Sequence, residues 1–522
     1  MASVVGKRIS GRTYYYLVES GRVAGRPRIT AQRYLGSAED IAAALDGGGA
    51  VPTHTRHLTF GEVAAVWATL ERLQLVRMID EVVPSRKTSV GTYFALAVSQ
   101  RATAPESTLA DWWAGTAAGR FVRPRLSADA VRDEEFRRAT RRLSASQLDR
   151  ISAAVATRLA GTDPIALAVD VPNFATYAES DTAVATLTGL SAVVTRDGAI
   201  PLVSHHYPRG GTAVIPFGVA VDRLAARHQG EITLVFDTGQ HAQLDLDAGM
   251  PFVGALPLGD YPDLLARPAS SRRPVGPGRF PGLSALDTRA TVSGANRRVV
   301  LTHSPRLHAA QARGFAQALS GATRQLDGLA LALAGGRNRR PREELLTEIV
   351  RITRVRWVDR VVTARLTGTR PGELRLQWRL DSAARARLDE EFFGKQLLVT
   401  DRDDWPVADV ITAYRARYHL DSTFRMLNGA FVEGRWNEHR IAVHSLVTVL
   451  TTAVTHLMRR EADRAGLDLS VRELLDQLSG IGETVLRYPS TGGRPRTRRV
   501  LTERTEIQQR LFDLFDLSRY AP

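Results

Sequence analysis

The chain has 522 residues, 44% hydrophobic and 24% charged, so it is long enough for two or three domains and too apolar to be disordered as a whole. Its 70 Lys and Arg against 55 Asp and Glu give a formal net charge of +15, which suits a polyanion such as nucleic acid. All but three of the basic residues are Arg; codon bias explains that ratio but not the surplus over acids. Cysteine is absent, which excludes disulfide scaffolds, cysteine zinc sites and thiol nucleophiles.

The first 160 residues change pattern twice. Residues 1–36 alternate like a small β-meander and 42–52 contain three consecutive glycines, so we predict a meander with a linker over 1–50. From Phe60 onward apolar residues recur at helical spacing, which predicts an all-α module over 51–160. Its exposed arginines suit a DNA surface or a solvated helix face equally, and no helix-turn-helix signature is clear.

Residues 161–263 have the pattern of an α/β sheet. An apolar strand over 165–169 stops at Asp170, and another over 232–236 stops at Asp237. Further strands are predicted over 187–195, 199–205 and 252–256, with a helix over 213–226. Strands interleaved with helices predict an α/β fold.

The composition shifts again over 264–395, which we predict to be an insertion with a helix and a β-hairpin. A flexible loop is predicted over 267–282, a strand over 298–303, a long helix over 307–333, a basic turn over 337–342, and a hairpin of 361–366 with 373–380. The sheet returns with a strand over 396–400, and helices follow over 406–463. Residues 466–522 are predicted to form a helical, basic tail.

One stretch has the length of a membrane span. Residues 441–458 have no charged side chain and are near the length that crosses a bilayer, but they contain seven Ser, Thr and His residues. That content favours a buried core helix. The first residues have no apolar run typical of a signal peptide, so we expect a soluble, intracellular protein with no membrane partner.

Several catalytic motifs are missing from the sequence. It has no phosphate-binding loop, dinucleotide fingerprint, His-Glu-x-x-His zinc helix or Gly-x-Ser-x-Gly elbow. The doublet His205-His206 stands by itself at a strand end and carries no functional prediction.

Two carboxylates follow the apolar strands, Asp170 and Asp237. If the strands are neighbours in one sheet, both side chains meet at its edge. Two carboxylates that close repel each other unless a cation lies between them, which indicates Mg²⁺ or Mn²⁺. Two such ions can hold the attacking and leaving oxygens of a phosphodiester displacement. Each Asp can also be a turn residue or a helix N-cap.

A helix predicted over 407–428 carries further candidate groups. Tyr414, Arg417 and Asp421 fall at i, i+3 and i+7, on one face. A phenol, a guanidinium and a carboxylate in line suit a DNA backbone at one end and a metal ion at the other. An amphipathic surface helix with an Arg–Asp pair has the same spacing.

In this order, these features resemble the DDE transposases of bacterial insertion sequences, in particular the subgroup with a Tyr-x2-Arg-x3-Glu-x6-Lys signature. The resemblance covers nearly the whole chain. It rests on the Tyr-rich first segment, 170–174, 235–239, 252–254, 394–400, 414–428, Arg440 to His444, and 511–522.

The resemblance implies a ribonuclease-H-like core, in two parts over 161–263 and 396–465, with the α+β insertion between them. It implies an enzyme that cuts transposon ends and joins the 3′ ends to target DNA, using two Mg²⁺ or Mn²⁺ ions. The catalytic, metal-binding triad would be Asp170, Asp237 and Asp421. The residues that contact DNA phosphates would be Tyr414, Arg417 and Asn428.

The resemblance also implies partners and a location. Double-stranded DNA would be bound as terminal inverted repeats, held by the helical module, the insertion and the tail, and as target DNA. A homodimer is implied for the DNA complex, and a cytoplasmic, nucleoid-associated location.

Two positions depart from the family signature. Asp421 stands in place of Glu, which withdraws the carboxylate by about 1.5 Å, and a misplacement of that order costs about a hundredfold in rate. Asn428 stands in place of Lys and keeps a hydrogen-bond donor without the charge. Glu433 and Glu438 are substitutes for the third ligand, off the register of the signature.

Two alternatives follow. The first alternative is a catalytically impaired relative that only binds DNA, and the altered third acid motivates it. A phosphatase of the haloacid-dehalogenase type also begins with an apolar strand that ends in Asp, but it needs a second acid where this chain has Pro172.

Overall fold

The computed structural model describes residues 2–9, 12–23, 26–38, 40–41, 51–85, 89–159, 165–178, 185–209, 231–238, 246, 249–336, 340–355, 357–428, 432–433, 437–488 and 497–522. The predicted helix over 213–226 lies outside these residues, as do most of the predicted linker and parts of the basic segments at 337–342 and 492–499. The chain divides into two compact units, one of Met1–Arg72, Ala95–Arg138 and Ala462–Pro522, and one of Leu73–Phe94 and Ala139–Glu461. The domain boundaries given above remain predictions.

The strands are, in chain order, β1 (Ala2–Ile9), β2 (Arg12–Val23), β3 (Arg26–Ser37), β4 (His54–Thr59), β5 (Ile165–Ala178), β6 (Ala185–Thr195), β7 (Pro201–Arg209), β8 (Glu231–Phe236), β9 (Phe252–Leu256), β10 (Arg273–Pro274), β11 (Ser284–Val292), β12 (Ala295–His303), β13 (Val362–Thr367), β14 (Arg375–Leu380), β15 (Lys395–Thr400), β16 (Val432–Glu433), β17 (Gly482–Arg487) and β18 (Thr497–Leu501).

The α-helices are α1 (Gly61–Leu73), α2 (Leu75–Val82), α3 (Val90–Thr103), α4 (Leu109–Gly115), α5 (Ala118–Phe121), α6 (Asp133–Thr140), α7 (Ala145–Leu159), α8 (Pro262–Leu265), α9 (Pro305–Ala334), α10 (Arg342–Thr353), α11 (Ser382–Glu391), α12 (Val407–Asn428), α13 (Glu438–Arg464), α14 (Val471–Ser479) and α15 (Glu506–Leu514).

The first unit contains two three-stranded antiparallel sheets. β1, β2 and β3 form the meander predicted for the first residues. The second sheet has the order β18-β17-β4, so the C-terminal tail contains a hairpin that the helical prediction missed. The fully buried carboxylate of Glu483 on β17 lies between Arg120 and Arg499, with 2.7 Å between Arg120 Nη2 and Oε2. Part of the basic character of the tail is therefore used inside the fold.

A mixed ten-stranded sheet is the centre of the second unit, which agrees with the predicted α/β class. Nine strands lie in the order β10-β11-β12-β15-β9-β8-β5-β6-β7, and β16 pairs with the end of β5. β5, β6 and β7 are successive antiparallel neighbours. On the other side of β5, β8 and then β9 are added in parallel.

The first strand of this sheet is longer than predicted. It does not stop at Asp170 but runs to Ala178, with a register irregularity between Val171 and Ala175. The irregularity spans Pro172, which has no N–H to give to the ladder. Pairing with β6 resumes at Ala175 and Thr188.

The segment over 264–395, predicted as an insertion, contributes strands to the sheet and also contains helices. β11 and β12 form a hairpin, and β12 pairs with β15, which pairs with β9. The loop predicted to be flexible over 267–282 is instead fixed by Val275 and Phe280, which are buried in the main core. These two apolar residues are isolated among Pro, Gly and Arg, so no periodic pattern marks them.

The two long helices of the second part follow β15. α12 packs against β5, β8 and β9. α13 is long and apolar enough to cross a membrane by length and composition, but 89% of its most apolar stretch is buried within the protein. The hydroxyl groups of Thr448, Thr451, Thr452 and Thr455 donate to backbone carbonyls of their own helix, which explains how a polar sequence is accommodated there. This burial favours the core-helix interpretation.

Candidate active site

The site is built around the end of β8. Residues 232–236 are all buried, as expected for a strand with parallel neighbours on both sides. The chain leaves the core at Asp237, whose side chain is 38% exposed. The change from five buried residues to a carboxylate therefore places a charge at the edge of the sheet.

A close contact between β8 and β9 fixes the residue before Asp237. Phe236 lies opposite Gly254 in the ladder, and a Cβ added at Gly254 would lie 1.9 Å from Cζ of Phe236. No side chain larger than hydrogen fits there unless the ring moves. Gly254 thus lets the Phe236 ring cross the neighbouring strand and holds the backbone next to Asp237.

α12 brings the second set of groups to the same edge. Its buried residues Val410, Ala413, Leu420 and Phe424 join Val235 and other sheet residues in one core. Their spacing of three, seven and four residues places them on one face of the helix, which is the face that meets the sheet. Tyr414 packs against the same core, and Arg417 lies one turn further along.

Asp237 is contacted directly by both of these α12 residues. Arg417 Nη1 donates to Oδ2 at 2.9 Å, and the Tyr414 hydroxyl donates to Oδ1 at 3.4 Å, across 180 and 177 positions of sequence. The backbone N–H of Thr238 donates to Oδ1 at 2.8 Å. Both carboxylate oxygens are therefore oriented by protein donors.

Tyr414 is a neutral hydrogen-bond donor in this setting. Burial raises the pKa of its phenol above the ordinary value of 10, and the negative charge of Asp237 adds to the rise. The hydroxyl therefore keeps its proton at neutral pH. Such a group can position a carboxylate or a phosphate, but it is poorly suited to act as a nucleophile.

Arg417 keeps unused donor capacity. Its side chain is 20% exposed, and among the described residues its buried Nε has no hydrogen-bond acceptor. A buried guanidinium N–H without an acceptor is unfavourable, and a phosphate oxygen is the partner that its fork geometry suits.

Asp170 lies on the strand next to β8. β5 and β8 run parallel with Val169 opposite Val235, so Asp170 and Asp237 come one and two residues after the last paired position. The backbones of the two residues therefore lie on neighbouring strands, Asp237 after the end of β8 and Asp170 within β5 where its pairing with β8 ends. The side chain of Asp170 lies outside the described part of the chain, as do those of His205, His206, Asn428 and Glu433.

Asp421 is placed on the same helix, one turn beyond Arg417. The ion pair that the structure gives it is with Arg425, at i+4, and its side chain is 29% exposed. Among the described side chains, no three Asp, Glu or His residues form a cluster that could hold a metal ion. The triad of Asp170, Asp237 and Asp421 thus remains a prediction.

The ligand type at this edge bears on the predicted metal. Asp237 presents carboxylate oxygens, the ligand type that Mg²⁺ and Mn²⁺ prefer. In the protein alone, Arg417 supplies the positive charge beside it. The carboxylate of Asp237 is therefore of the type that suits a hard divalent cation, and the metal site that it would form with Asp170 remains a prediction.

A buried histidine fixes α12 from behind. His456 of α13 meets the carbonyl oxygens of Ala199 and Gly198 through Nδ1, at 2.8 and 3.0 Å, so Nδ1 carries the proton. Its Nε2 therefore accepts from the Thr423 hydroxyl of α12, at 2.9 Å. Burial lowers the pKa of His456 to about 3, helped by the charge of Arg459, so the ring is neutral at physiological pH.

A cavity of about 350 Å³ adjoins the Asp237 cluster. Its lining includes Tyr414 and Thr238, the aromatic ring of Trp357, and the cations Arg360 and Lys395. Lys395 is 6% exposed, donates to the carbonyl of Leu265, and has its pKa lowered by burial. The sequence prediction missed Lys395 and Arg360. The retention of Lys at one of only three positions in an Arg-rich chain is the signal that could have indicated the first.

Comparisons with known proteins give little for this chain. No protein-family model matches it, and none of the curated proteins matches it. Among solved structures, a piggyBac transposase synaptic complex with hairpin DNA aligns with 82% of this chain and 82% of its own, at 9% sequence identity and a TM-score of 0.31. A TM-score of this size does not establish a common fold, so the assignment of a function rests on the site itself.

Proposed function

We propose that the chain is a metal-dependent DNA strand-transfer enzyme of the DDE transposase type, with Asp170, Asp237 and Asp421 as its acids. The observation that carries the proposal is the contact of Asp237 with Tyr414 and Arg417, which lie on a helix that begins 170 positions later. A carboxylate, a neutral phenol and a guanidinium with a spare N–H suit a site for a phosphodiester next to a divalent ion.

The topology supports a ribonuclease-H-like core. The strands β7-β6-β5-β8-β9 take the order 3-2-1-4-5, with the first three antiparallel and the last two parallel to the first. Asp170 is on the central strand and Asp237 follows its parallel neighbour. In open α/β sheets, sites form at the carboxyl ends of the strands where the order reverses. Asp237 follows the carboxyl end of β8, and Asp170 lies within β5, one residue beyond its last pairing with β8.

The roles of the chain's own residues follow from their contacts. Arg417 holds Asp237 through Nη1 and offers Nε to a phosphate oxygen. Tyr414 keeps its proton, so it donates throughout the reaction. A bound Mg²⁺ or Mn²⁺ would polarise a phosphoryl oxygen and favour an ionised nucleophile. In the first reaction, water attacks phosphorus, the P–O3′ bond breaks and the released 3′ oxygen takes up the proton that the water loses. In the second, that 3′ hydroxyl attacks a phosphorus of target DNA and forms a new P–O3′ bond. The P–O3′ bond of the target strand breaks, and the released target 3′ oxygen takes up the proton.

A nicking assay tests the proposal. The full chain is incubated with supercoiled plasmid and Mn²⁺, and relaxed circles are quantified for the parent, for Asp170→Ala and for Asp237→Ala. Nicking is expected for the parent and a loss of at least a hundredfold in both variants. Asp263→Ala, which removes an exposed carboxylate outside the proposed triad, is the matched control and should keep parental activity.

Two results would count against the enzyme. Nicking that persists in Asp237→Ala would assign it to a contaminant or another site. Nicking that is as fast in EDTA as in Mn²⁺ would remove the metal from the account.

A second function is favoured by one specific contact. The carboxylate of Asp421 pairs with Arg425 on its own helix, and Asp is shorter than the Glu of the family signature. A chain in which that pair persists would bind DNA without cutting it. Arg425→Ala separates the two functions, because it frees Asp421 and should raise Mn²⁺-dependent nicking if the pair is inhibitory.

A further inference from the structure

The hairpin of β13 and β14 has two chemically different faces. Val362, Ala364 and Leu366 pair with Leu380, Trp378 and Leu376, which gives one apolar face. The alternate pairs are Thr363 with Arg379, Arg365 with Gln377, and Thr367 with Arg375. Every one of these six alternate residues is exposed.

The apolar face fixes the hairpin on the helices behind it. Leu366 and Leu376 are buried in one cluster with residues of α9 and α10, and Trp378 packs against that cluster. The indole N–H of Trp378 donates to Asp327 of α9 at 3.0 Å. Arg342 of α10 donates to the carbonyls of Leu366 and Gly368. The ribbon is therefore held as a rigid element with its polar face outward.

The outward face is rich in cationic donors. The hairpin from Val362 to Leu380 carries four arginines and one glutamate. Among the described residues, the side chains of Arg365 and Gln377 have no hydrogen bond or ion pair. Asp381, which follows β14, uses its carboxylate to cap α11 at the N–H of Ala384, at 2.9 Å. Arg375 donates to the carbonyls of Leu333, Gly372 and Leu374, and the Thr367 hydroxyl donates to the carbonyl of Arg375. The face therefore presents Arg365, Gln377 and Arg379 as the polar side chains that suit a polyanion.

We propose that this ribbon lies in the major groove of duplex DNA and reads bases with Arg365, Gln377 and Arg379. A six-residue antiparallel ribbon is about 20 Å long, and the major groove, about 12 Å wide, admits a two-stranded ribbon backed by helices. Arg pairs bidentately with guanine and Gln with adenine on their major-groove edges, while Thr hydroxyls reach phosphates or bases. The ribbon is separate from the Asp237 cluster, and its proposed role does not depend on strand cleavage.

Duplex DNA is favoured over other polyanions by shape. The major groove of an RNA duplex is too deep and narrow for a ribbon to read. An acidic protein surface would meet the arginines but would make no use of an uncharged Gln at the centre of the face. The pairing of Arg365 with Gln377 on adjacent strands is therefore the feature that points to base recognition.

The test measures sequence preference in EDTA with the full chain. A random 30-base-pair duplex library is enriched by binding, and affinities for the enriched and a scrambled duplex are measured by fluorescence anisotropy at several salt concentrations. For Gln377→Ala, discrimination between the two duplexes should fall about tenfold while the salt dependence stays parental, because no charge is lost. Arg365→Ala should lose discrimination and reduce the salt dependence. Arg351→Ala, which removes an equally exposed charge from α10, should keep parental discrimination.

Groove use is tested on the same duplex. Methylation at guanine N7, in the major groove, should block binding, and the minor-groove ligand distamycin should not. The proposal is overturned if Gln377→Ala and Arg365→Ala discriminate as the parent does, if distamycin competes while N7 methylation has no effect, or if polyglutamate or duplex RNA is preferred to duplex DNA. Unchanged circular dichroism melting of the variants verifies that exposed side chains alone were altered. The binding assay contains no metal, so its result is independent of strand cleavage. If the protein discriminates between the duplexes but fails to nick DNA, the proposed enzyme activity is rejected and the proposed role of the ribbon is retained.

Discussion

The contact between Gly254 and Phe236 makes a quantitative prediction for Gly254→Ala. The new Cβ would lie 1.9, 2.0 and 2.5 Å from three ring atoms of Phe236, where ordinary contacts begin near 3.4 Å. The ring must therefore retreat by roughly 1.5 Å, but Phe236 is fully buried and packs on Phe252 with 5.9 Å between ring centroids. Overpacking of this kind costs about 1–3 kcal/mol. Because Asp237 follows Phe236 directly, a shift of order 1 Å there should also lower a nicking rate by about a hundredfold.

Thermal unfolding and Mn²⁺-dependent nicking measure the two effects of Gly254→Ala. Gly314→Ala on α9 is the matched control, since an added methyl there meets nothing within 4 Å, and it should leave stability equal or slightly higher. Phe236→Leu in the Gly254→Ala background should recover part of the lost stability, because the smaller side chain makes room for the methyl. A Gly254→Ala protein with parental melting temperature and parental nicking would refute the argument that this contact positions Asp237.

Three further predictions concern buried charges. Burial raises the pKa of Glu62 to about 8, with the charge of Asp476 adding to the rise, so the stability that the protonated group has below pH 4.5 is lost as pH rises through 8. Glu62→Gln should therefore raise the melting temperature at pH 8.5 and change it little at pH 4. Equal shifts of the melting temperature at both pH values would contradict this. The pKa of His456 is about 3 in the folded protein against 6.5 in the unfolded chain, so the free energy of unfolding falls by about 1.4 kcal/mol per pH unit as pH falls below 6.5. In urea unfolding between pH 7 and 5, His456→Gln should therefore lose less stability than the parent. Parallel plots of stability against pH for the two proteins would count against this. Glu483→Ala should lower the free energy of unfolding in urea by about 3–5 kcal/mol, because Arg120 and Arg499 lose the buried carboxylate that pairs with them. Glu81→Ala, which breaks an exposed ion pair, should lower it by under about 1 kcal/mol. Similar losses in the two variants would refute the role of burial.

Local patterns predicted most strands and helices, because their signal lies within a few residues. The buried run 232–236, the helix over 407–428 and the hairpin near 361–380 are all found where the sequence places them. What the sequence could not give is partnership over long distances. β4 pairs with β17 across more than 400 positions of sequence, and no feature of either segment predicts this pairing.

The same holds for the site: its residues could be predicted from local sequence, but the contacts between them could not. Asp237, Tyr414 and Arg417 could be named from the sequence, but their mutual contact depends on how α12 packs against β8. No motif in the sequence marks Lys395, yet the pairing of β15 with β9 places it in the cavity beside Tyr414. β5 was expected to end at Asp170, and its continuation to Ala178 depends on pairing with β6. The roles of Asp170, Asp421 and Asn428 stay predictions.

The most direct test of the central claim is iron-mediated cleavage of the polypeptide. Fe²⁺ replaces Mg²⁺ in the full chain, ascorbate and peroxide generate hydroxyl radicals at the bound ion, and mass spectrometry maps the backbone cuts. The account predicts cuts beside Asp170, Asp237 and Asp421 together, all suppressed by excess Mg²⁺ and absent in Asp237→Ala. Cuts beside Asp237 without cuts beside Asp421 and Asp170 would contradict a single metal site formed by the three acids.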